Sequence, residues 1–347
     1  MSENYAPVHW SRQKKKYDKI LWAGILLLIV SFVAFQIILH PSITPQTILI
    51  RATALTAIVL LHIILAIGPL CRLDTRFLPL LYNRRHLGVS MFLLAMIHSV
   101  FCIIQFHVLG DANPIVSIFT SNTKYDSISE FPFQVLGFFS FLILFMMAAT
   151  SHDFWLKNLS PRVWKALHMS VYVAYGMIIL HVALGTLQYE SHPIYWVFLV
   201  LGFVFIAGLH LIAGFKENLR LKANRKSLQE NGFYEACNIN DLSEKCAKTV
   251  FINGENIAIF KYDGKVSAVH NVCKHQMGPL GEGKIIDGCI TCPWHGYQYL
   301  PENGQSPAPF TEKVKTYEVK TIKDSIWVNP NPKEEGTYVE PAKINQA

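Results

Sequence analysis

The stretch from Cys273 to Gly296, CKHQMGPLGEGKIIDGCITCPWHG, carries two short pairs of metal-binding residue types. Cys273 and His275 are separated by one residue, and Cys292 and His295 by two. Two thiolates with two imidazoles suit a [2Fe–2S] centre in which the cysteines hold one iron and the histidines hold the other. A structural zinc site takes the same residue types, but zinc fingers usually present two cysteines and then two histidines. The alternation of cysteine with histidine therefore favours the iron–sulfur centre.

The sequence around these pairs resembles the Rieske family. CPWHG (292–296) is similar to that family's second ligand loop, and HQMGPLGEG (275–283) is similar to the first loop of ferredoxin-type Rieske proteins. The resemblance covers roughly residues 232–330. It implies a [2Fe–2S] cluster with four ligands, which are Cys273, His275, Cys292 and His295.

The chain has seven cysteines, and their irregular spacing does not suggest a disulfide framework. Rieske subunits of respiratory complexes carry one further cysteine in each loop, and the two form a disulfide. The resemblance places Gly278 and Trp294 at those positions, so we do not expect that bond. Cys289 makes a CxxC with Cys292, but it falls where Rieske strands carry an apolar residue, and we interpret it as core.

From Gly232 the apolar residues alternate with the period of a β-strand. Three turn dipeptides, Asn253-Gly254, Asp263-Gly264 and Asp287-Gly288, predict tight hairpins between short strands. The predicted strands are Val250–Asn253, Ile257–Tyr262, Val266–Val269, Ile285–Ile286, Cys289–Thr291, Tyr317–Val319 and Ile326–Val328. We expect a small all-β domain whose two hairpin tips carry the ligands. The proline-bearing loop 304–309 resembles the loop that covers the cluster in Rieske proteins.

The first two thirds of the chain are too apolar for a soluble domain. The 347 residues are 51% hydrophobic, and six apolar runs are each long enough to span a bilayer. These runs are 20–39, 48–70, 86–109, 131–150, 164–187 and 194–215. The predicted domains are a basic tail (1–19), a six-helix transmembrane bundle (20–215), a charged linker (216–231), the Rieske domain (232–330) and a polar, solvated tail (331–347). The linker is either an amphipathic surface helix or a plain connection.

Positive charge indicates the orientation in the membrane. The net charge of +7 does not require a nucleic-acid partner, because lysine and arginine cluster at the ends of apolar runs, where they set topology. One side holds the basic tail, Arg72, Arg76, Arg84, Arg85, Lys157, Arg162, Lys165 and the lysines and arginines of 216–226. The other side holds Arg51, Lys124, Asp111, Asp126, Glu130 and Glu190. The positive-inside rule therefore predicts a multi-pass protein of the cell (inner) membrane, in contact with lipid, with cytoplasmic N- and C-termini and Rieske domain.

Several histidines lie in or beside the apolar runs, where ionisable side chains are costly and are functional candidates. For each of them, the alternative is a hydrogen bond across a helix interface. At about 1.5 Å per residue, His98 and His181 lie about 20 and 24 Å from the basic residues at the cytoplasmic ends of their spans. Both could hold one outer haem b, because haem iron takes imidazole as an axial ligand. His168 and His86 lie at the inner ends and could form an inner site, and His62 competes with His98.

Two spans resemble the ferric reductase-like transmembrane family. RRHLGVSMFLLAMIHSVF (84–101) and WKALHMSVYVAYGMIILH (164–181) are similar to its third and fifth spans, and the resemblance covers about 48–215. In that family these spans supply the haem histidines, which fall here on His98, His168 and His181. His86 falls where the family's residue varies, so one haem or two remain open. Ferric reductases usually add a flavin and NAD(P)H module, but no part of this sequence resembles one, and no GxGxxG opens a helix.

A one-electron cluster and a membrane haem predict an electron relay. We expect a cytoplasmic ferredoxin or flavoprotein as donor, and a quinone, a ferric chelate or a periplasmic reductase as acceptor at the outer face. Flow could also run inward from quinol, and whether the chain is an enzyme or an electron-transfer subunit stays open. The alternatives are a haem-free, membrane-tethered Rieske ferredoxin, a redox sensor, or an oxygenase. Oxygenases need a mononuclear iron on two histidines and a carboxylate, for which the short tail leaves no room.

Two residues after the second ligand loop bear on the reduction potential. High-potential Rieske proteins place a serine two residues after the second histidine and a tyrosine four residues after it. Here Tyr297 and Tyr299 occupy these positions, so the serine is missing and the tyrosine is kept. Because hydrogen bonds to the cluster sulfurs tune the potential, we predict a potential in the lower to middle part of the Rieske range.

Overall fold

The computed structural model describes residues 12–344 except 109, 129, 153, 156–158, 190–191, 225–228, 276 and 295. The chain divides into two compact units. Of the described residues, 12–67 together with 83–210 form a helical unit, and 68–82 together with 211–344 form a unit that contains the β domain.

The described residues contain six helical segments long and apolar enough to span a membrane, which confirms the predicted six-helix bundle. The helices are α1 (Arg12–Leu39), α2 (Pro45–Leu73), α3 (Arg84–Phe106), α4 (Pro114–Thr120), α5 (Phe133–Thr150), α6 (Pro161–Met169), α7 (Val171–Leu184), α8 (Thr186–Tyr189) and α9 (Ile194–Asn224), with a 3₁₀ helix at Thr75–Asn83. One span, Val163–Gln188, comprises most of α6, all of α7 and most of α8. Both ends of the bundle extend beyond the apolar runs: α1 begins at Arg12 within the basic tail, and α9 continues to Asn224 within the linker.

The bundle is organised around α2. In its apolar window 61% of the residues are buried, against 11% to 28% in the other five spans. By contrast, α1 and α9 expose large apolar side chains, with Leu27 69% and Leu211 74% exposed, as expected of helices that face hydrocarbon. Proline and side-chain caps mark several helix starts. For example, the Ser160 hydroxyl accepts the Val163 N–H just before Pro161 opens α6.

The β domain is built from three antiparallel sheets. Its strands are β1 (Gln229–Glu230), β2 (Phe233–Asn238), β3 (Ala247–Ile252), β4 (Glu255–Tyr262), β5 (Lys265–His270), β6 (Lys284–Ile286), β7 (Cys289–Thr291), β8 (Gln298–Tyr299), β9 (Thr316–Tyr317), β10 (Val319–Ile322), β11 (Ser325–Val328) and β12 (Ala342–Lys343). The sheet orders are β1-β2-β11-β10, then β12-β5-β4-β3 with β9 also on β5, and β6-β7-β8. Together with the membrane helices, this confirms the predicted fold class.

The three predicted hairpin turns are present. Asn253 and Gly254 have φ of 50° and 84°, Asp263 and Gly264 have 47° and 68°, and Asp287 and Gly288 have 52° and 77°. Two consecutive residues with positive φ match the right-handed twist of the flanking strands, which is why these dipeptides favour two-residue hairpins. The turns fix the registers of β3 with β4, β4 with β5, and β6 with β7.

Two apolar clusters fill the β domain. One lies among the longer strands and includes Ile257, Ile259 and Ile326. The other contains Cys273 and Cys292 themselves, packed with fully buried apolar side chains such as Leu280, Ile290 and Tyr299. The sheets therefore hold the two ligand loops against a common core.

The segment after residue 330 differs from the solvated tail that the sequence led us to expect. Ala342 and Lys343 form β12 and pair with Val266 and Lys265 of β5. The Ile344 N–H also donates to the carbonyl of Gly264 at 2.9 Å. The polar composition of this segment does not indicate a strand, because an edge strand can attach through its backbone hydrogen bonds with little apolar contact. Residues 345–347 lie outside the described residues.

Candidate iron–sulfur and haem sites

The two ligand loops have similar backbone hydrogen bonds. In the first loop, the Cys273 N–H donates to the Gly278 carbonyl at 2.9 Å, and an antiparallel bridge between Val272 and Pro279 closes the loop. In the second loop, which joins β7 to β8, the Cys292 N–H donates to the Tyr297 carbonyl at 2.7 Å. Each loop thus starts at its cysteine and turns back immediately, as the prediction of two ligand-bearing tips requires.

The two loops meet at the cysteines. Cys273 and Cys292 are 0% and 1% exposed. A Cβ atom on Gly278 would lie 2.8 Å from the Cys292 sulfur and 3.2 Å from the Trp294 ring, so only glycine fits there. Gly278 and Trp294 stand where respiratory Rieske subunits would carry their disulfide, and here the two positions pack against each other instead. The close loop contact brings both cysteines into one buried core.

The Tyr299 hydroxyl lies beside the sulfur of Cys273, one of the predicted ligands. This hydroxyl accepts the Lys274 N–H at 3.0 Å and lies 3.3 Å from the Cys273 sulfur. A cysteine that binds iron is a thiolate and cannot donate, so the hydroxyl donates to the sulfur. Burial and the neighbouring Cys273 raise the pKa of Tyr299 well above its usual range, which keeps the phenol protonated. The sulfur hydrogen bond expected at this position is therefore available.

Tyr297 makes different contacts. Its ring stacks on the His275 imidazole, with centroids 4.8 Å apart and planes inclined by 10°. Its hydroxyl donates a hydrogen bond to the Glu312 carboxylate. Burial, followed by the hydrogen bond to Glu312, raises the pKa of Tyr297 far above that of a free phenol. This side chain therefore does not supply the hydrogen bond that a serine would make.

The fourth predicted ligand, His295, lies outside the described residues. Within the described part of the chain, no three His, Cys, Asp or Glu side chains gather closely enough to hold a metal ion. The fit to a [2Fe–2S] cluster therefore rests on the two buried cysteines of one core cluster, on Gly278 beside the Cys292 sulfur, and on the hydroxyl beside Cys273. Sulfur ligands with a hydrogen-bond donor beside them suit iron–sulfur chemistry.

The structure brings His98 of α3 and His181 of α7 together. Their ring centroids lie 6.4 Å apart, with planes inclined by 81°. A metal–nitrogen bond of about 2.0–2.1 Å on each side, with roughly 1 Å from nitrogen to ring centre, puts two imidazoles that share one iron at about 6 Å. The observed separation therefore fits one iron between these rings.

Hydrogen bonds orient both rings. The Nδ1–H groups of His98 and His181 donate to the carbonyls of Ile50 and Phe133 at 3.1 and 2.8 Å. Because a carbonyl only accepts, each Nδ1 carries the proton, and Nε2 keeps the lone pair that iron needs. Both acceptors belong to neighbouring helices, α2 and α5. Two helices, α2 and α5, therefore hold the imidazoles of α3 and α7 in a ligating tautomer.

The surroundings of this pair also suit a haem. A Cβ atom on Gly137 of α5 would lie 2.7 Å from the His181 ring, so glycine makes the room for that imidazole. The side-chain oxygens of Gln105 and Gln134 are buried and have no hydrogen-bond partner among the described residues. Gln105 follows His98 by two helical turns on the same face, and Gln134 precedes Gly137 by one turn. These oxygens are acceptors and do not pair with a haem carboxylate, so the fit of this site rests on the two imidazoles and on Gly137.

The inner histidines are placed differently. The His168 Nδ1–H donates to the Trp164 carbonyl on its own helix at 3.0 Å, and the ring stacks on Trp164 at 3.8 Å. The His86 Nδ1–H donates to the Asp18 carboxylate at 2.7 Å. No ring contact joins His86 to His168 within the described part of the chain. An inner haem on these two residues therefore stays a prediction.

His62 has partners at both ring nitrogens. Its Nδ1–H donates to the Ile58 carbonyl at 2.7 Å, and its Nε2 accepts the Tyr175 hydroxyl at 3.1 Å. The ring also approaches Gly202 of α9, where a Cβ would lie 2.6 Å from Nε2. This is the interhelical hydrogen bond that we considered as the alternative for each membrane histidine. His62 thus has a structural role between helices, and its competition with His98 for a haem stays a prediction.

Comparison with known proteins supports both halves of the chain. Residues 232–318 match the Rieske [2Fe-2S] domain, and residues 52–179 match the ferric reductase like transmembrane component. Over 74 residues the chain is 34% identical to the anthranilate 1,2-dioxygenase ferredoxin subunit of Burkholderia cepacia, covering 21% of this chain and 68% of that protein. The chain belongs to the Rieske family. It joins a Rieske domain to a ferric reductase-like transmembrane domain, as the sequence predicted.

Two further relatives show how far the similarity extends. The ferredoxin component of the naphthalene 1,2-dioxygenase/salicylate 5-hydroxylase systems of Ralstonia sp is 30% identical over 94 residues, covering 27% of this chain and 89% of that protein. Cholesterol 7-desaturase nvd of Xenopus laevis is 32% identical over 106 residues, covering 29% of this chain and 23% of that enzyme. This Rieske protein thus matches 68% and 89% of the two ferredoxins' length but spans less than a quarter of the desaturase.

Proposed function

We propose that this Rieske protein relays single electrons between a cytoplasmic donor and an acceptor at the outer face of the membrane, with a [2Fe–2S] cluster and a b-type haem as carriers. The donor is a ferredoxin or a flavoprotein. The acceptor is a quinone, a ferric chelate or a periplasmic reductase. The similarity to ferredoxin components supports one-electron exchange with a protein partner.

The observation that carries the proposal is the pairing of His98 with His181. Both imidazoles are held through Nδ1 by carbonyls of other helices, and their centroids are 6.4 Å apart. The Nδ1–H of His168 donates instead to a carbonyl of its own helix, and His62 also has a second partner, Tyr175. When bound there, haem accepts and releases one electron at a time. His98 and His181 would hold it through their Nε2 atoms.

The predicted cluster ligands of the Rieske domain differ in burial and therefore in role. Cys273 and Cys292 lie in the core, where solvent is excluded. His275 is partly exposed, so its imidazole edge is a natural path for an electron to or from a partner. His295 completes the ligand set. The excess of positive residues beside the apolar runs supports a cytoplasmic location for this domain.

The experiment that tests the proposal is a dithionite-reduced minus oxidised visible spectrum of the detergent-purified protein. Haem is quantified as pyridine haemochrome and compared with acid-labile sulfide. We expect two labile sulfides per chain and b-type haem, with one haem per chain if only His98 and His181 bind it, and two if His86 and His168 also do. Cluster without haem would overturn the relay and leave a membrane-tethered Rieske ferredoxin.

A further inference from the structure

The Tyr297 ring covers one face of the His275 imidazole. The two rings are nearly parallel, at 4.8 Å between centroids and 10° between planes. Rotation of the imidazole about its Cβ–Cγ bond would break this stack. Because the direction of a histidine lone pair follows the orientation of its ring, the stacked phenol restrains the direction in which His275 can bind iron.

The Tyr297 ring is itself held from two sides. Phe310 packs edge-on against it, with centroids 4.9 Å apart and planes inclined by 61°. The Tyr297 hydroxyl donates to the Glu312 carboxylate, which also accepts the Thr311 N–H at 3.1 Å. Tyr297 is only 5% exposed. A side chain with a packed face and a hydrogen-bonded hydroxyl has little rotational freedom, so Tyr297 can hold the His275 ring in a fixed orientation.

The hydrogen bond to Glu312 also changes the electrostatic potential that the Tyr297 ring exerts on His275. A carboxylate that accepts a hydrogen bond from a phenol polarises the O–H bond and makes the aromatic ring more electron-rich. The negative face of an aromatic ring attracts positive charge. The histidine side of a Rieske cluster carries more positive charge when the cluster is oxidised. The stack therefore stabilises the oxidised state more than the reduced one.

We propose that Tyr297 is a positioning residue for His275 and that its hydrogen bond to Glu312 lowers the reduction potential of the cluster. This inference rests on the cluster half of the proposed function and does not depend on the haem. It extends the prediction made from sequence, which considered only the hydrogen bond lost with the missing serine. Tyr297 therefore affects the cluster through its contact with His275, in addition to removing the hydrogen bond that a serine would make.

The test uses the full-length protein in detergent, with Tyr297→Phe, Glu312→Gln and Tyr297→Leu. Tyr297→Phe keeps the stack and removes the hydroxyl, Glu312→Gln removes the charge, and Tyr297→Leu removes the stack. The exposed pair Tyr338 and Glu340 offers a matched control, because the Tyr338 hydroxyl donates to the Glu340 carboxylate at 2.6 Å. Tyr338→Phe and Glu340→Gln therefore remove the same kind of bond and the same charge at the surface.

Each variant is measured by redox titration of the cluster EPR signal, and cluster content is measured as acid-labile sulfide. We expect Tyr297→Phe and Glu312→Gln to raise the equilibrium constant for reduction at least threefold. Since a tenfold change corresponds to 59 mV for one electron, the midpoint potential should rise by about 30 mV or more. The control variants should move it much less. We expect Tyr297→Leu to change the EPR g values, because His275 is then free to rotate.

Shifts in Tyr297→Phe and Glu312→Gln no larger than those of the controls would overturn the effect on the potential. Unchanged g values in Tyr297→Leu would overturn the positioning role. If Tyr297→Leu does not hold a cluster, the comparison of Tyr297→Phe with Tyr338→Phe still decides the effect on the potential. Wild-type protein without labile sulfide would contradict the proposed function itself, so the two failures are distinguishable.

Discussion

His98 and His181 face each other across the helical bundle, with ring centroids 6.4 Å apart and with each Nδ1–H donated to a carbonyl of a third or fourth element. His98 lies on α3 and His181 on α7, so 83 residues separate two side chains that the fold brings into contact. This arrangement leaves both Nε2 atoms in the tautomer that binds iron.

Replacement of either histidine should remove the haem. In His98→Leu and His181→Leu we expect pyridine haemochrome per chain to fall to below roughly a tenth of the wild-type value, because one axial bond is lost. His62→Leu is the matched control, since both nitrogens of His62 are hydrogen-bonded to Ile58 and Tyr175. Equal haem loss in His62→Leu, or full haem in His98→Leu, would show that the assignment is wrong.

Gly137 should be required for the haem site. In Gly137→Ala the new methyl group would lie 2.7 Å from the His181 ring and push the imidazole aside. We expect ~10-fold to 100-fold weaker haem retention, the range found when the support of a metal ligand is lost. Gly176→Ala on α7 meets no atom within 4 Å and serves as the control. Competitive removal of haem by apomyoglobin measures both variants, and identical removal rates would refute the prediction.

Gly278 should be required for the cluster. In Gly278→Ala the added methyl group would lie 2.8 Å from the Cys292 sulfur and separate the two ligand loops. We expect the content of acid-labile sulfide to fall by about 10-fold or more, as for other changes that displace a metal ligand. Gly208→Ala in α9 has no neighbour within 4 Å and should keep its sulfide. The haemochrome of both variants reports whether the membrane bundle is intact.

Tyr299 should act on the potential in the direction opposite to Tyr297. The Tyr299 hydroxyl lies 3.3 Å from the Cys273 sulfur, and a donor there stabilises the extra electron density of the reduced cluster. In Tyr299→Phe we expect the equilibrium constant for reduction to fall by about threefold to tenfold, or roughly 30–60 mV. A redox titration checks this, and a rise in potential would contradict the assigned donor.

The wild-type potential is a separate prediction. Tyr299 supplies one sulfur hydrogen bond, whereas the Tyr297 hydroxyl is directed to Glu312. With one of the two donors of high-potential Rieske proteins absent, the midpoint should lie in the lower to middle part of the range. A value near roughly +300 mV, the top of that range, would show that another donor compensates.

Local chemistry explains which features of this fold could be predicted from sequence. Asp263-Gly264 and Asp287-Gly288 require a backbone that only a tight hairpin uses, so the strands beside them could be assigned. The length of the apolar runs was enough to predict six spans, because a bilayer sets a minimum helix length. The ligand spacing of Cys273 and Cys292 is equally local, since each pair sits on one loop.

Features that depend on packing between distant segments could not be predicted. Glu312 and Phe310 reach Tyr297 from a separate loop, and nothing in their own neighbourhood indicates that contact. Tyr175 contacts His62 over 113 residues of sequence, so this interhelical partner of His62 could not be predicted. The pairing of Ala342 with Val266 is another long-range contact, made by a two-residue strand without an apolar pattern.

The central claim, electron transfer across the membrane, can be measured in sealed proteoliposomes with ferricyanide trapped inside and dithionite added outside. Molecules whose Rieske domain faces outward should pass electrons inward, so we predict that internal ferricyanide bleaches in wild-type vesicles. Bleaching should drop to the protein-free rate in Cys292→Ala and in His98→Leu, and His62→Leu should retain it. Bleaching at the protein-free rate in wild-type vesicles that contain both cluster and haem, or equal rates in all variants, would contradict the account.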